Sequence, residues 1–214
     1  MIPQQLLTNA HRLKQLLSHA PKNWDGRSAI AQMKEAGSRH WRQTEWIGFY
    51  GEMIAGNLLD SICEIPGRTY DRVTFDIFSK INWDLKVHPN SQPSAILNDC
   101  VATRKSIDQY EFHGLIIFCV DCEYDDDGAF KAWHDDLKGK KSRYEEERER
   151  RKAPSRRRKT LAVLTDISLI VIDRSTVSYL GNAQRGWRNA DGRPRREKYS
   201  ISHSLIVSSD LRVA

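Results

Sequence analysis

Apolar positions recur at helical spacing near the start of the chain, where Leu6, Leu7, Leu13, Leu16 and Leu17 predict a short amphipathic helix. A second helix is expected from Arg27 to Ala36, stopping at Gly37, and a longer one from about Arg42 to Ile62, broken by Pro66-Gly67. The period then changes to two, and Val73–Phe78 and Asn82–His88 read as short strands. After a loop marked by Pro89, Asn90 and Pro93, Ala95 to Tyr110 predicts a helix and Gly114–Cys122 a buried strand. Asp125-Asp126-Asp127 stands where a helix cap belongs, ahead of a helix from Ala129 to about Lys152 that Pro154 and Ser155 end. Leu161–Ile172 supplies one apolar strand or a pair, and the alternation from Tyr199 to Val207 a last one. No internal repeat is present. The expected class is α/β, a mixed β-sheet flanked by helices, in a single domain over residues 1–214.

Composition supports a real core: 39% of the 214 residues are hydrophobic and six are tryptophan. No run of 18 apolar residues exists, so no membrane span is expected. Met1-Ile2-Pro3-Gln4-Gln5 lacks the basic start and apolar stretch of a secretory signal, which makes a cytoplasmic location the expectation. Cys63, Cys100, Cys119 and Cys122 are too few for a disulfide framework. Cys119-Val120-Asp121-Cys122 has no second pair or histidine cluster to complete a zinc site, so inert thiols are expected.

Charge changes the picture through its distribution. The net +6 conceals two basic segments, residues 140–159 at +7 and residues 184–198 at +4, with −5 left for the rest. Such concentration suits a protein that grips a polyanion, although a solvated helix face would also carry it. Within the second segment Gln184, Arg185, Arg188, Asn189 and Arg193 are side chains able to read purine edges, beside Gly186 and Gly192. Arg195, Arg196 and Lys198 suit phosphate contacts. Arg42 and Gln43, upstream of the third helix, offer further donors. The segment 140–159 is either a clamp on DNA or a soluble projecting helix end.

The chemistry concentrates between the predicted strands. If Val73–Val87 folds as a hairpin around Ser79-Lys80-Ile81, opposed residues have numbers summing to 160. One face then pairs Val73 with Val87, Phe75 with Leu85 and Ile77 with Trp83, all apolar. The other pairs Thr74 with Lys86 and Asp76 with Asp84, placing two carboxylates about 5 Å apart at Cβ. Like charges so close call for a counter-ion, which a hard divalent cation or Lys86 supplies. His88 falls on the same face, expected as a partly exposed strand histidine. Glu52 lies in an otherwise apolar helix, among Gly48, Gly51, Ala55 and Gly56. Helix-interior glycines cost about 1 kcal/mol each relative to alanine. Their presence suggests close approach of backbone, metal or substrate, with helix packing and a salt bridge from Glu52 as the plainer account.

Helix-borne Glu52, then Phe75-Asp76-Ile77-Phe78, then Trp83-Asp84-Leu85-Lys86-Val87-His88 resembles the active-site signature of the PD-(D/E)xK nuclease superfamily, and within it type II restriction endonucleases. The resemblance covers about residues 42–125. It departs from the pattern in having Phe75 rather than proline before Asp76 and a short Asp76–Asp84 separation, and Asp71 is a rival first carboxylate. The resemblance implies a restriction-endonuclease-like core and hydrolysis of double-stranded DNA to 5′-phosphate and 3′-hydroxyl ends. It implies that Asp76 and Asp84 bind Mg²⁺ with Glu52, and that Lys86 is catalytic. A homodimer is expected, because palindromic DNA invites two-fold symmetry. The competing expectations are a non-catalytic DNA-binding protein and a repair or structure-specific nuclease of the same superfamily.

Overall fold

Trp83 lies against Gly114 on a neighbouring strand so closely that a β-carbon there would sit 2.1 Å from the indole Cε3. The fit lies within a computed structural model that describes residues 2–66, 74–139, 143–153, 157–188 and 192–208. Asp71, Val73 and Asn189 therefore lie outside the described residues.

In chain order the elements are α1 (Gln4–Leu17), β1 (Asn23–Asp25), α2 (Gly26–Glu35), α3 (Trp46–Leu59), β2 (Ile77–Ser79), β3 (Ile81–Pro89), β4 (Ser94–Asp99), α4 (Cys100–Tyr110), β5 (His113–Tyr124), α5 (Ala129–Lys138), α6 (Arg143–Arg150), β6 (Lys159–Ile172), β7 (Gly181–Ala183), β8 (Lys198–Ser202) and α7 (His203–Val207). The class is mixed α/β, as the patterning predicts. A five-stranded sheet has the order β1-β6-β5-β3-β2, and a three-stranded sheet the order β4-β8-β7. β2 runs antiparallel to β3, and β3 parallel to β5. Among the described residues no helix is long and apolar enough to cross a membrane.

The chain falls into two compact units. One comprises Met1–Ala20, Gly51–Val120 and Thr165–Ala214, the other Pro21–Tyr50 and Asp121–Leu164. In the first unit a buried cluster joins Leu115, Ile117 and Cys119 of β5 and Ile170 and Ile172 of β6 to Ala95, Leu97, Tyr199 and Ile201 of the smaller sheet, with Ile107 of α4. In the second, Trp46 donates its indole N–H to the Lys159 carbonyl at 2.8 Å, and Trp24 meets Tyr50 edge-on.

Four boundaries differ from the sequence expectation. The predicted helix Ala95–Tyr110 is strand β4 followed by α4, because Ala95 and Leu97 are buried and β8 offers a ladder. Asp99 then starts α4 by accepting the Val101 and Ala102 N–H groups, both at 3.0 Å. The predicted helix from Ala129 to Lys152 is interrupted at Gly139, whose φ of 77° ends α5. The last alternating run remains a strand only to Ser202, whose hydroxyl accepts the Leu205 N–H and begins α7. Finally, Arg42 belongs to a 3₁₀ turn over Arg39–Arg42, and α3 begins at Trp46.

Candidate active site

The hairpin register is the one the alternation predicts. Ile77 pairs with Trp83, Phe78 with Asn82, and Ser79 with Ile81. The turn is tighter than the expected three-residue loop, with Lys80 between paired neighbours at a φ of 64°. The ladder does not continue to a backbone pair at Asp76 and Asp84. The Asp76 N–H still reaches the Trp83 carbonyl at 3.2 Å, but the Leu85 N–H goes to Asp76 Oδ2 at 2.7 Å. A carboxylate thus replaces the main-chain acceptor that a longer β2 would have provided, and this fixes where Asp76 points.

β3 lies between β2 and β5, so both of its edges are paired. Trp83 and Leu85 are buried on one face; Asp84, Lys86 and His88 alternate onto the other. Asp84 is only 2% exposed, and its Oδ2 is buried with no hydrogen-bond partner among the described residues. The Lys86 ammonium lies 3.0 Å from Asp84 Oδ1 and 4.0 Å from Asp76 Oδ2, and donates to the Leu85 carbonyl at 2.9 Å. Glu52, on α3, feels the charges of Asp76, Lys86 and Asp84. The four predicted catalytic side chains therefore form one electrostatic group within the first unit.

Its energetics are those of an over-acidic site. Burial first, then Asp76, pushes the Glu52 carboxyl up to about 7. Burial does the same for Asp84, to about 7, against the pull of Lys86 and with the push of Asp76. Burial disfavours the Lys86 charge, yet Asp84, Asp76 and Glu52 outweigh it and hold its pKa above the ordinary lysine value. Three carboxylates against one ammonium leave a deficit of positive charge, and the orphaned Asp84 oxygen marks where it is felt. Among the described residues no His, Cys, Asp and Glu side chains are already drawn into a metal-ligand array. The donors that are present, carboxylate oxygens beside a backbone carbonyl, are of the hard kind that fits Mg²⁺ or Ca²⁺.

Two neighbours, His113 and Ser106, were not singled out by the sequence. His113 opens β5 opposite Asn82, fully buried, with Nδ1 3.2 Å from Ser106 Oγ. Asn82 donates to the same hydroxyl at 3.0 Å. The His113 pKa falls to about 3, through burial and then the Lys86 charge, so its ring is neutral. The only sequence signal was a histidine bordering an apolar strand. His88 is 2% exposed rather than partly exposed, with Nε2 3.3 Å from His203 Nδ1. At Gly48 a β-carbon would meet no group from elsewhere in the chain within 4 Å among the described residues.

The basic segments behave differently from one another. Gln184 to Lys198 joins β7 to β8 in the first unit. Arg185, Arg188, Arg193, Arg195 and Arg196 are exposed. Arg188 spends one donor on the Gly192 carbonyl at 2.9 Å, Arg196 lies 3.7 Å from Asp99, and Lys198 is in the ladder of β8. In the second unit Arg42 is exposed and stacks over Trp41 at 4.8 Å, next to exposed Gln43. Much of the 140–159 charge is internally matched there. Arg158 is 3% exposed and lies 3.4 Å from both Asp135 and Glu145; Arg157 pairs with Asp126, and Lys159 with Glu45. Arg150 and Arg151 remain on the surface, both against Glu147. No protein-family model, curated protein or solved structure matches this chain.

Proposed function

We propose that this chain is a Mg²⁺-dependent endonuclease that hydrolyses phosphodiester bonds in double-stranded DNA at a short specific sequence, in the manner of type II restriction enzymes. One observation carries the reading: the Lys86 ammonium lies 3.0 Å from Asp84 and 4.0 Å from Asp76, and Glu52 feels the charges of all three, in a group short of positive charge. Around it the chain runs α3, β2, β3, β4, α4, β5, which is the helix, hairpin, helix, strand order of the resemblance with β4 added before the second helix.

Asp84 and Asp76 would hold the cation, with Glu52 completing its oxygen ligands. Bound there, Mg²⁺ would polarise the scissile phosphate and acidify a water molecule. Lys86 is positioned by Asp84 and the Leu85 carbonyl, and its raised pKa keeps it charged. It therefore serves as a cation for charge developing on phosphate oxygens rather than as a base. Asp76 is oriented by the Leu85 N–H. The arginines between β7 and β8 supply the contacts to DNA, and two copies of the chain on a palindromic site are the arrangement that such recognition favours. The test is digestion of several unrelated DNAs with Mg²⁺, followed by sequencing of the ends. Discrete fragments sharing one sequence support the reading; cuts at junctions or lesions alone favour a repair nuclease, and intact DNA contradicts both.

A further inference from the structure

We propose that Trp187 is a nucleobase-stacking residue, presented to a DNA duplex by the hairpin between β7 and β8. The proposal rests on the nucleic-acid reading above but not on catalysis. Trp187 is 57% exposed, while Trp24, Trp46 and Trp83 are fully buried. An indole left in water forgoes one of the largest burial gains a side chain can make. Its position is nonetheless built. The Trp187 N–H donates to the Gln184 carbonyl at 3.1 Å, and its own carbonyl accepts the Arg195 N–H at 2.8 Å. Arg188 and Pro194 form a bridge one residue further on. Gln184, Gly186 and Gly192 take left-handed φ values of 63°, 73° and 80°, which shape the hairpin at some cost for the non-glycine residue. At its base the Glu197 carbonyl accepts the Cys100 N–H at 3.0 Å, tying it to the start of α4.

The surroundings specify the ligand. The Arg195 guanidinium lies 5.9 Å from the Trp187 ring centroid, and Arg185 and Arg196, 3.9 Å from Glu197 and 3.7 Å from Asp99, keep 82% and 86% of their side chains exposed. A flat apolar ring within a cluster of cations matches a polymer that alternates anionic phosphate with flat apolar rings. A sulfated polysaccharide offers the charge without the rings. Phosphate contacts by the arginines would position the duplex, while Trp187 packs against a base step.

The test compares wild type, Trp187→Ala and Trp187→Phe on a DNA duplex and on heparin, a polyanion without bases. Thermal midpoints serve as the folding control. Trp187→Ala should weaken duplex binding about ten-fold, with the log–log salt slope unchanged because no phosphate contact is lost. Trp187→Phe should recover most of that loss, and heparin affinity should stay constant throughout. The emission that distinguishes wild type from Trp187→Phe should be quenched by duplex. Wild-type affinity of Trp187→Ala for duplex, or an equal loss on heparin, overturns stacking alone. Failure of the wild-type chain to bind DNA at all overturns stacking together with the nucleic-acid reading.

Discussion

Lys86 places its ammonium nitrogen 3.0 Å from Asp84 Oδ1, and so stands where a metal ion would neutralise the same carboxylate. The remaining Asp84 oxygen is buried without a donor among the described residues. Such a site is costly in the metal-free protein. Asp84→Asn should therefore raise metal-free stability at pH 7.5, by roughly 1–3 kcal/mol. Mg²⁺ should raise the melting temperature of the wild type but not of Asp84→Asn. Thermal denaturation with and without the ion checks both.

Gly114→Ala should be among the most damaging single-methyl additions. Its β-carbon would meet three atoms of the Trp83 indole at 2.1 to 2.7 Å, in a buried strand with no space for either to move. Overpacking costs typically 1–3 kcal/mol and occasionally more. Because Trp83 precedes Asp84, displacement of the ring should also impair cleavage. Urea denaturation and activity of the variant test this.

His134 predicts acid sensitivity. It is fully buried, donates from Nε2 to the Trp41 carbonyl at 2.8 Å, and burial first depresses its pKa to about 4. The unfolded chain takes up a proton near pH 6.5 while the folded one does not. The stability from this residue is thus complete above pH 6.5 and lost progressively from there to pH 4, by about 3 kcal/mol. Across that window His134→Gln should show a flatter stability profile than the wild type, measured by denaturant titration at each pH. A parallel pair of profiles would remove His134 from the account.

Arg158 separates structure from DNA binding. Although it sits in the most basic run of the chain, it is buried against Asp135 and Glu145, with Lys138 also on both acids. Removing one partner of such a group costs on the order of 3–5 kcal/mol. Arg158→Ala should lower stability by about that amount and leave the salt slope of DNA binding unchanged. Double replacement of exposed Arg150 and Arg151 distinguishes the surface role, since a clamp would reduce the slope by roughly 0.9 per phosphate lost.

The hairpin and the facing of its charged side chains were legible because they are local. Alternation fixed which residues of β3 face the core, and the tight turn fixed the register at Ile77–Trp83, so Asp84 and Lys86 could be placed on one face. The side-chain role of Asp76 was not legible, because it depends on the ladder stopping at Ile77–Trp83, short of the Asp76–Asp84 pair that the alternation predicts. β4 was read as helix because its partner β8 lies about a hundred residues away and leaves no local trace. The burial of Arg158 was hidden by the charge of its neighbours. His113 reaches the site region through the parallel pairing of β3 with β5, and Ser106 through α4, where its hydroxyl meets Asn82 and His113. Sequence spacing does not encode such a relation.

The central claim is that Asp84 and Lys86 belong to one phosphodiester-cleaving centre. The most direct measurement is single-turnover cleavage of DNA with Mg²⁺ by wild type, Asp84→Asn and Lys86→Ala, with DNA affinity measured alongside. The account predicts loss of cleavage by at least a hundredfold in both variants, ~3 kcal/mol or more of transition-state stabilisation, with DNA affinity kept. Cleavage by either variant at near the wild-type rate would contradict it.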